Sequence, residues 1–149
     1  MSKDKREARE FCFQYFFHLQ LPVFEEFRKS LNTDSDTSEI KSSIDEYKES
    51  TNTLLSEENA KFVLNTVVGT LKNYEQIEDL ISKKLKNWKL DRISKVDHTN
   101  LLLSTYELCF DKKTPANIVI NEAIEISKKF GNKDSGAFIN GVLDKLSKE

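Results

Sequence analysis

Two histidines, His18 and His98, and two cysteines, Cys12 and Cys109, are the side chains best suited to metal binding or nucleophilic chemistry. Their spacing argues against both. The histidines fall in different helical segments, with no cysteine or carboxylate at the intervals that metal ligands keep. No glycine-rich phosphate loop and no nucleophile elbow occur. Asp97 with Glu107, or Glu122 with Glu125, could be paired as acid and base, but in a chain that is 32% charged such pairs belong on solvated helix faces. No catalytic residue, metal ligand or cofactor is assigned, and the chain reads as a non-enzyme. Cys12 and Cys109 lie in apolar helical patterns and read as reduced core residues.

A different chemistry is open to the segment from Arg6 to Phe17. Arg6, Arg9, Phe13 and Phe17 follow at intervals of 3, 4 and 4. At ~100° per residue they share a strip about 80° wide, turned about 140° from the apolar face centred near Tyr15 and Leu19. Arginines meet phosphates, and aromatic rings meet unstacked bases or the apolar residues of a partner. The competing reading is that a neighbouring helix covers Phe13 and Phe17, because a first helix in a small bundle is often buried on two sides. A second basic segment, SKKLKNWKLDRISK, sets six bases against Asp91 alone over residues 83–95. Its Trp88 reads first as a core anchor, while the one-sided charge adds a phosphate-facing reading. Residues 34–58 are acidic instead, so the net charge of −2 conceals a polarised chain.

The elements that must position these residues are helical. Only four Gly and two Pro occur in 149 residues, enough chain for one domain with a real core. Ala8, Phe11, Cys12, Tyr15, Phe16 and Leu19 recur at helical spacing over residues 4–20. Pro22 interrupts that stripe, and Val23, Phe24, Phe27 and Leu31 suggest a short second helix. Residues 32–56 are rich in Ser, Thr, Asn, Asp and Glu, with one weak helix marked by Ile40, Ile44 and Tyr47. Ser56 with Glu57 and Glu58 reads as a capped helix start. A break near Asn73 separates that helix from one carrying Ile77, Leu80 and Ile81. A largely buried helix runs from Val96 to about Phe110. The sum is an all-α chain of about seven helices. No apolar run approaches the roughly 18 residues that span a bilayer, and the N-terminus lacks the apolar stretch of a signal peptide, so a cytoplasmic, non-membrane protein is expected.

The last helices flank a polar corner. Thr114-Pro115 starts one helix. Val119, Ala123, Ile126 and Phe130 fall on its inner face, and Gly131 follows where a left-handed cap is wanted. Asp134 or Ser135 is placed to cap the final helix, whose apolar face is Phe138, Ile139, Val142, Leu143 and Leu146.

The stretch NIVINEAIEISKKFGNKDSGAFINGVLDKL resembles the C-terminal signature of the NusB family of bacterial transcription antitermination factors. NWKLDRISKVDHTNLLLSTYEL, FVLNTVVGTL, YEQIEDLI and KREAREFCFQYFF are similar to that family's upstream elements, so residues 3–27 and 58–147 are covered. The resemblance implies two packed helical subdomains within a single domain, residues 1–149, with residues 32–56 as an acidic variable insertion. It implies binding of boxA-type single-stranded RNA together with NusE, a small-subunit ribosomal protein. The pair would join an RNA polymerase antitermination complex on ribosomal RNA operons. Carried over by position, the RNA-binding residues are Lys3, Lys5, Arg6 and Arg9, then Lys133, Asp134, Ser135 and Phe138. Phe17 and Asp97 lie towards the NusE contact, and Phe13 shares the partner strip. The sequence departs from the family where Asp4 and Glu7 dilute the basic motif and where Leu102 stands at a usual arginine position. The alternative is a module of the same fold that binds a protein partner, or its own copy in a homodimer, with little RNA affinity.

Overall fold

The computed structural model describes residues 3–34, 36–85 and 90–149, with side chains from Lys5 onward at the N-terminus. Trp88, Lys86 and Lys89 of the second basic segment, and the side chain of Lys3, lie outside the described residues. The described residues contain eight α-helices and no strand: α1 (Lys3–Leu19), α2 (Glu25–Ser30), α3 (Ser38–Ser50), α4 (Glu57–Lys72), α5 (Tyr74–Lys84), α6 (Lys95–Thr105), α7 (Ala116–Phe130) and α8 (Ser135–Ser147). The expected count was about seven. The short helix expected after Pro22 is α2, entered through a 3₁₀ turn, Pro22–Phe24. The chain divides into two compact units, one ending at Lys72 and the other starting at Asn73.

In the first unit α1 packs on α4, and α3 packs on α4 as well. The stripe predicted for α1 is the one buried: Ala8, Phe11, Cys12, Tyr15, Phe16 and Leu19 are all in the core. Tyr47 of α3 meets the rings of Phe11 and Tyr15 edge-on, at 5.7 and 5.6 Å between centroids. The Tyr15 hydroxyl lies 2.8 Å from Ser43 Oγ and donates to it. Ile40 and Ile44 are buried too. The helix inside the acidic stretch is therefore part of this unit's core, and the looped residues lie on either side of it. Ser56 Oγ accepts the Asn59 N–H at 3.1 Å and starts α4 as expected.

In the second unit α6 is packed by α5, α7 and α8. It is buried all round, from Thr99 through Thr105, which is why its pattern lacks a polar face. Leu102, at the position where the resemblance expects arginine, is fully buried in this core. Asn100 and Ser104 inside it are matched, whereas Thr99 Oγ1 and Thr105 Oγ1 are buried without a hydrogen-bond partner among the described residues. Asn100 Nδ2 donates to Ala123 O at 2.9 Å and to Ser127 Oγ at 3.2 Å, and Ser104 Oγ donates to Asn100 Oδ1 at 3.1 Å. This ties α6 to α7 at a fixed register. The helix expected to run to Phe110 changes pitch: Tyr106–Asp111 is a π-helical segment, closed by Lys112 in the left-handed region at φ 59°.

Candidate nucleic-acid interface

The corner between α7 and α8 is built by side chains rather than by a left-handed glycine. Gly131 has φ −93° and ψ −171°, an extended conformation open to any residue, so the expected positive φ is corrected. Its N–H still donates to Ser127 O at 2.9 Å, the last bond of α7. The chain then turns because Ser135 Oγ accepts the Asn132 N–H at 3.1 Å and Asn132 Oδ1 accepts the Asp134 N–H at 2.8 Å. Glycine is required for space. A Cβ there would lie 2.6 Å from Ser135 Oγ and 2.9 Å from Ser127 O. Capping of α8 is corrected as well. Asp134 occupies the N-cap position but makes no side-chain bond to the helix, and the Ser135 hydroxyl faces back into the loop.

These choices leave a shallow cleft of about 370 Å³ bordered by Lys128, Asn132, Lys133 and Gly136. Lys133 and Asp134 are exposed, and Phe138 is half-buried. Ser135 is only 1% exposed, so it shapes the loop and offers no surface to a ligand. Lys128 is tied to Glu125 at 3.1 Å, whereas Lys133 has no ion pair among the described residues. The uncapped start of α8 adds first-turn N–H groups that favour an anion. Lys133 can therefore neutralise a phosphate, and the Asp134 carboxylate can accept from the amino group of a base.

On α1 the strip of arginines and phenylalanines separates into surface and core. Arg6 is exposed, while Arg9 is only 6% exposed, with its guanidinium 5.1 Å from the centre of the Phe62 ring of α4. Lys5 is half-buried, 4.6 Å from the same ring centre and 3.7 Å from Glu58. Arg9 is thus corrected from a phosphate-facing cation to a packed one, because α4 covers that side of α1. Phe13 is 2% exposed and belongs to the core, so the partner strip loses it. Phe17 stacks on Phe13 at 6.1 Å and stays half-buried, with part of its ring on the surface.

Asp97 sits in the first turn of α6, where its N–H donates to Ser94 Oγ at 3.1 Å. It is 8% exposed, and its Oδ1 is buried without a hydrogen-bond partner among the described residues. A carboxylate oxygen left in that state is costly and calls for a donor. Spacing alone does not separate it from the other acids; only the family resemblance singled it out.

The second basic segment is partly spoken for. Lys83 pairs with Asp79 at 3.0 Å and Lys84 with Glu149 at 2.6 Å. His98 pairs with Glu78 at 2.9 Å, and His18 lies between the rings of Phe24 and Tyr47. Both cysteines are free thiols.

Residues 6–148 match the model of the NusB family. The transcription antitermination protein NusB of Acetivibrio thermocellus is 35% identical over 144 residues, covering 97% of this chain and 88% of that protein. The T. maritima NusB structure superposes with a TM-score of 0.77 at 35% identity, covering 100% of this chain and 94% of that one. A crystal structure of the antitermination factors NusB and NusE in complex with dsRNA superposes with a TM-score of 0.78 at 23% identity, covering 99% and 98%, and this likeness speaks for the fold alone.

Proposed function

This chain belongs to the NusB family, and from that premise we propose that it is a transcription antitermination factor that holds boxA-type single-stranded RNA jointly with NusE. It acts as a non-enzymatic, cytoplasmic adaptor in an RNA polymerase antitermination complex on ribosomal RNA operons. Among the described residues no helix is long and apolar enough to cross a membrane.

The observation that carries this reading is the corner between α7 and α8. An exposed lysine without an ion pair among the described residues and the open start of a 13-residue helix border one cleft there, and the exposed Asp134 carboxylate is next to that lysine in the chain. In the second unit Lys133 meets a phosphate and Asp134 reads a base edge; in the first unit the exposed Arg6 offers a phosphate contact of its own. The half-exposed Phe17 and the unmatched Asp97 Oδ1 fit the NusE contact, the first as an apolar anchor and the second as an acceptor for a partner's donor. In the protein-only alternative these two residues would serve a protein and the corner would stay bare.

The test is amide NMR mapping of the full chain during titration with a boxA-type single-stranded RNA. Saturable shifts at Asn132, Lys133 and Asp134 are expected. Silence at these amides while others move would remove the corner from the RNA surface.

A further inference from the structure

We propose that the first unit carries a second, protein-binding site, an acidic aromatic cleft that takes a lysine or arginine side chain from a basic polypeptide segment. It does not rest on the RNA reading. The cleft has a volume of about 500 Å³ and opens between the end of α1, the turn leading to α2, and α3. Its open walls are the rings of His18, Phe24, Phe27 and Tyr47, backed by the fully buried Tyr15, and its one carboxylate is Glu46.

Four features select the occupant. First, the walls are preassembled: the His18 ring lies 4.4 Å from that of Phe24 and 5.2 Å from that of Tyr47, and Tyr47 is itself held by Tyr15 at 5.6 Å. Ring faces gathered this way attract a cation and cover its aliphatic stem. Second, Glu46 is exposed, with no counter-ion among the described residues. Arg28, the nearby base, is turned onto the Leu19 carbonyl at 3.1 Å. Burial pushes the Tyr15 phenol up to about 12, against its Ser43 hydrogen bond, and the Glu46 charge adds to the rise. Third, the lip is apolar: Phe27 is 38% exposed, and Val23, next to Phe24, is 81% exposed. These are two of the three large apolar side chains left in solvent among the described residues. A lip of this kind fits the apolar neighbours of a basic residue in a peptide. Fourth, α3 also carries Glu39 and Glu49 without ion pairs among the described residues, and these with Glu46 outnumber Lys48, while Lys41 is tied to Asp45 at 3.2 Å. That field repels a phosphate backbone and steers a basic polypeptide in.

The experiment is an NMR titration of the full chain with the pentapeptide acetyl-Ala-Leu-Lys-Leu-Ala-amide and with its norleucine analogue, which keeps the stem and drops the charge. The lysine peptide is expected to shift the His18 ring and Tyr47 amide signals saturably, and the analogue to bind about fivefold or more weakly. Glu46→Gln, an exposed change that leaves the fold intact, is expected to weaken the lysine peptide about threefold and the analogue not at all. Equal affinity of the two peptides, or an unchanged lysine affinity in Glu46→Gln, would overturn the site as a cation receptor. Shifts of these same signals by single-stranded RNA in place of the peptide would overturn it as a protein site. None of these outcomes bears on Lys133, so the RNA reading stands or falls separately.

Discussion

A methyl group on Gly131 would lie 2.6 Å from Ser135 Oγ and 2.7 Å from Ser135 Cβ, so the corner tolerates only hydrogen there. Gly131→Ala is expected to cost about 1–3 kcal/mol by overpacking, measured by urea denaturation. The same change would be nearly neutral if the extended backbone alone mattered. The two arginines of α1 should part company in the same assay. Arg9→Ala is expected to destabilise the fold because the guanidinium is packed over Phe62. Arg6→Ala is expected to cost less than Arg9→Ala and to lower the slope of log K against log salt by about 0.7 for single-stranded RNA. Periodicity showed that Arg6, Arg9, Phe13 and Phe17 share a strip, but not that Arg9 and Phe13 are covered. That depends on which neighbour lies alongside, and no spacing within one helix carries that information. Gly131 has the same lesson: the break was legible, while its cause was not, because it lies in the approach of Ser135.

At the scale of elements, α3 decides what the acidic stretch is. Its polar loops disguise a helix whose Ile40 and Ile44 are buried against the first unit. Ile40→Ala is expected to cost about 2–5 kcal/mol, as in any core truncation, read from the denaturation midpoint. A loss below about 0.5 kcal/mol would make the helix a dispensable insertion. Three apolar marks in the sequence were enough to locate α3, since Ile40, Ile44 and Tyr47 keep helical spacing. The π segment Tyr106–Asp111 left no such mark. One extra residue per turn changes which side chains face inward without changing which residue types occur. The all-round burial of α6, in turn, was readable from Leu101 to Leu103, because a helix without a polar face has to be enclosed.

For the molecule as a whole, the tyrosines set an alkaline limit. Burial raises the ionisation of Tyr15 to about 12 and moves Tyr47 and Tyr106 in the same direction. Above pH ~10 the unfolded chain sheds protons that the folded chain keeps, so stability is full below pH ~10 and falls as pH rises towards 12. The Tyr15 share of that loss is about 2–3 kcal/mol. Tyr15→Phe, measured from pH 9 to 12, should show a flatter decline. An equally steep decline would place the effect on other groups.

The central claim concerns RNA, and fluorescence anisotropy with a labelled boxA-type single strand tests it most directly, with and without NusE, at two salt concentrations. The account predicts binding that weakens with salt, tightens when NusE is added, and loses about 0.7 in slope when Lys133 is changed to Ala. Binding of NusE with no salt-dependent RNA affinity in either condition would contradict it and leave a protein-interaction module in its place.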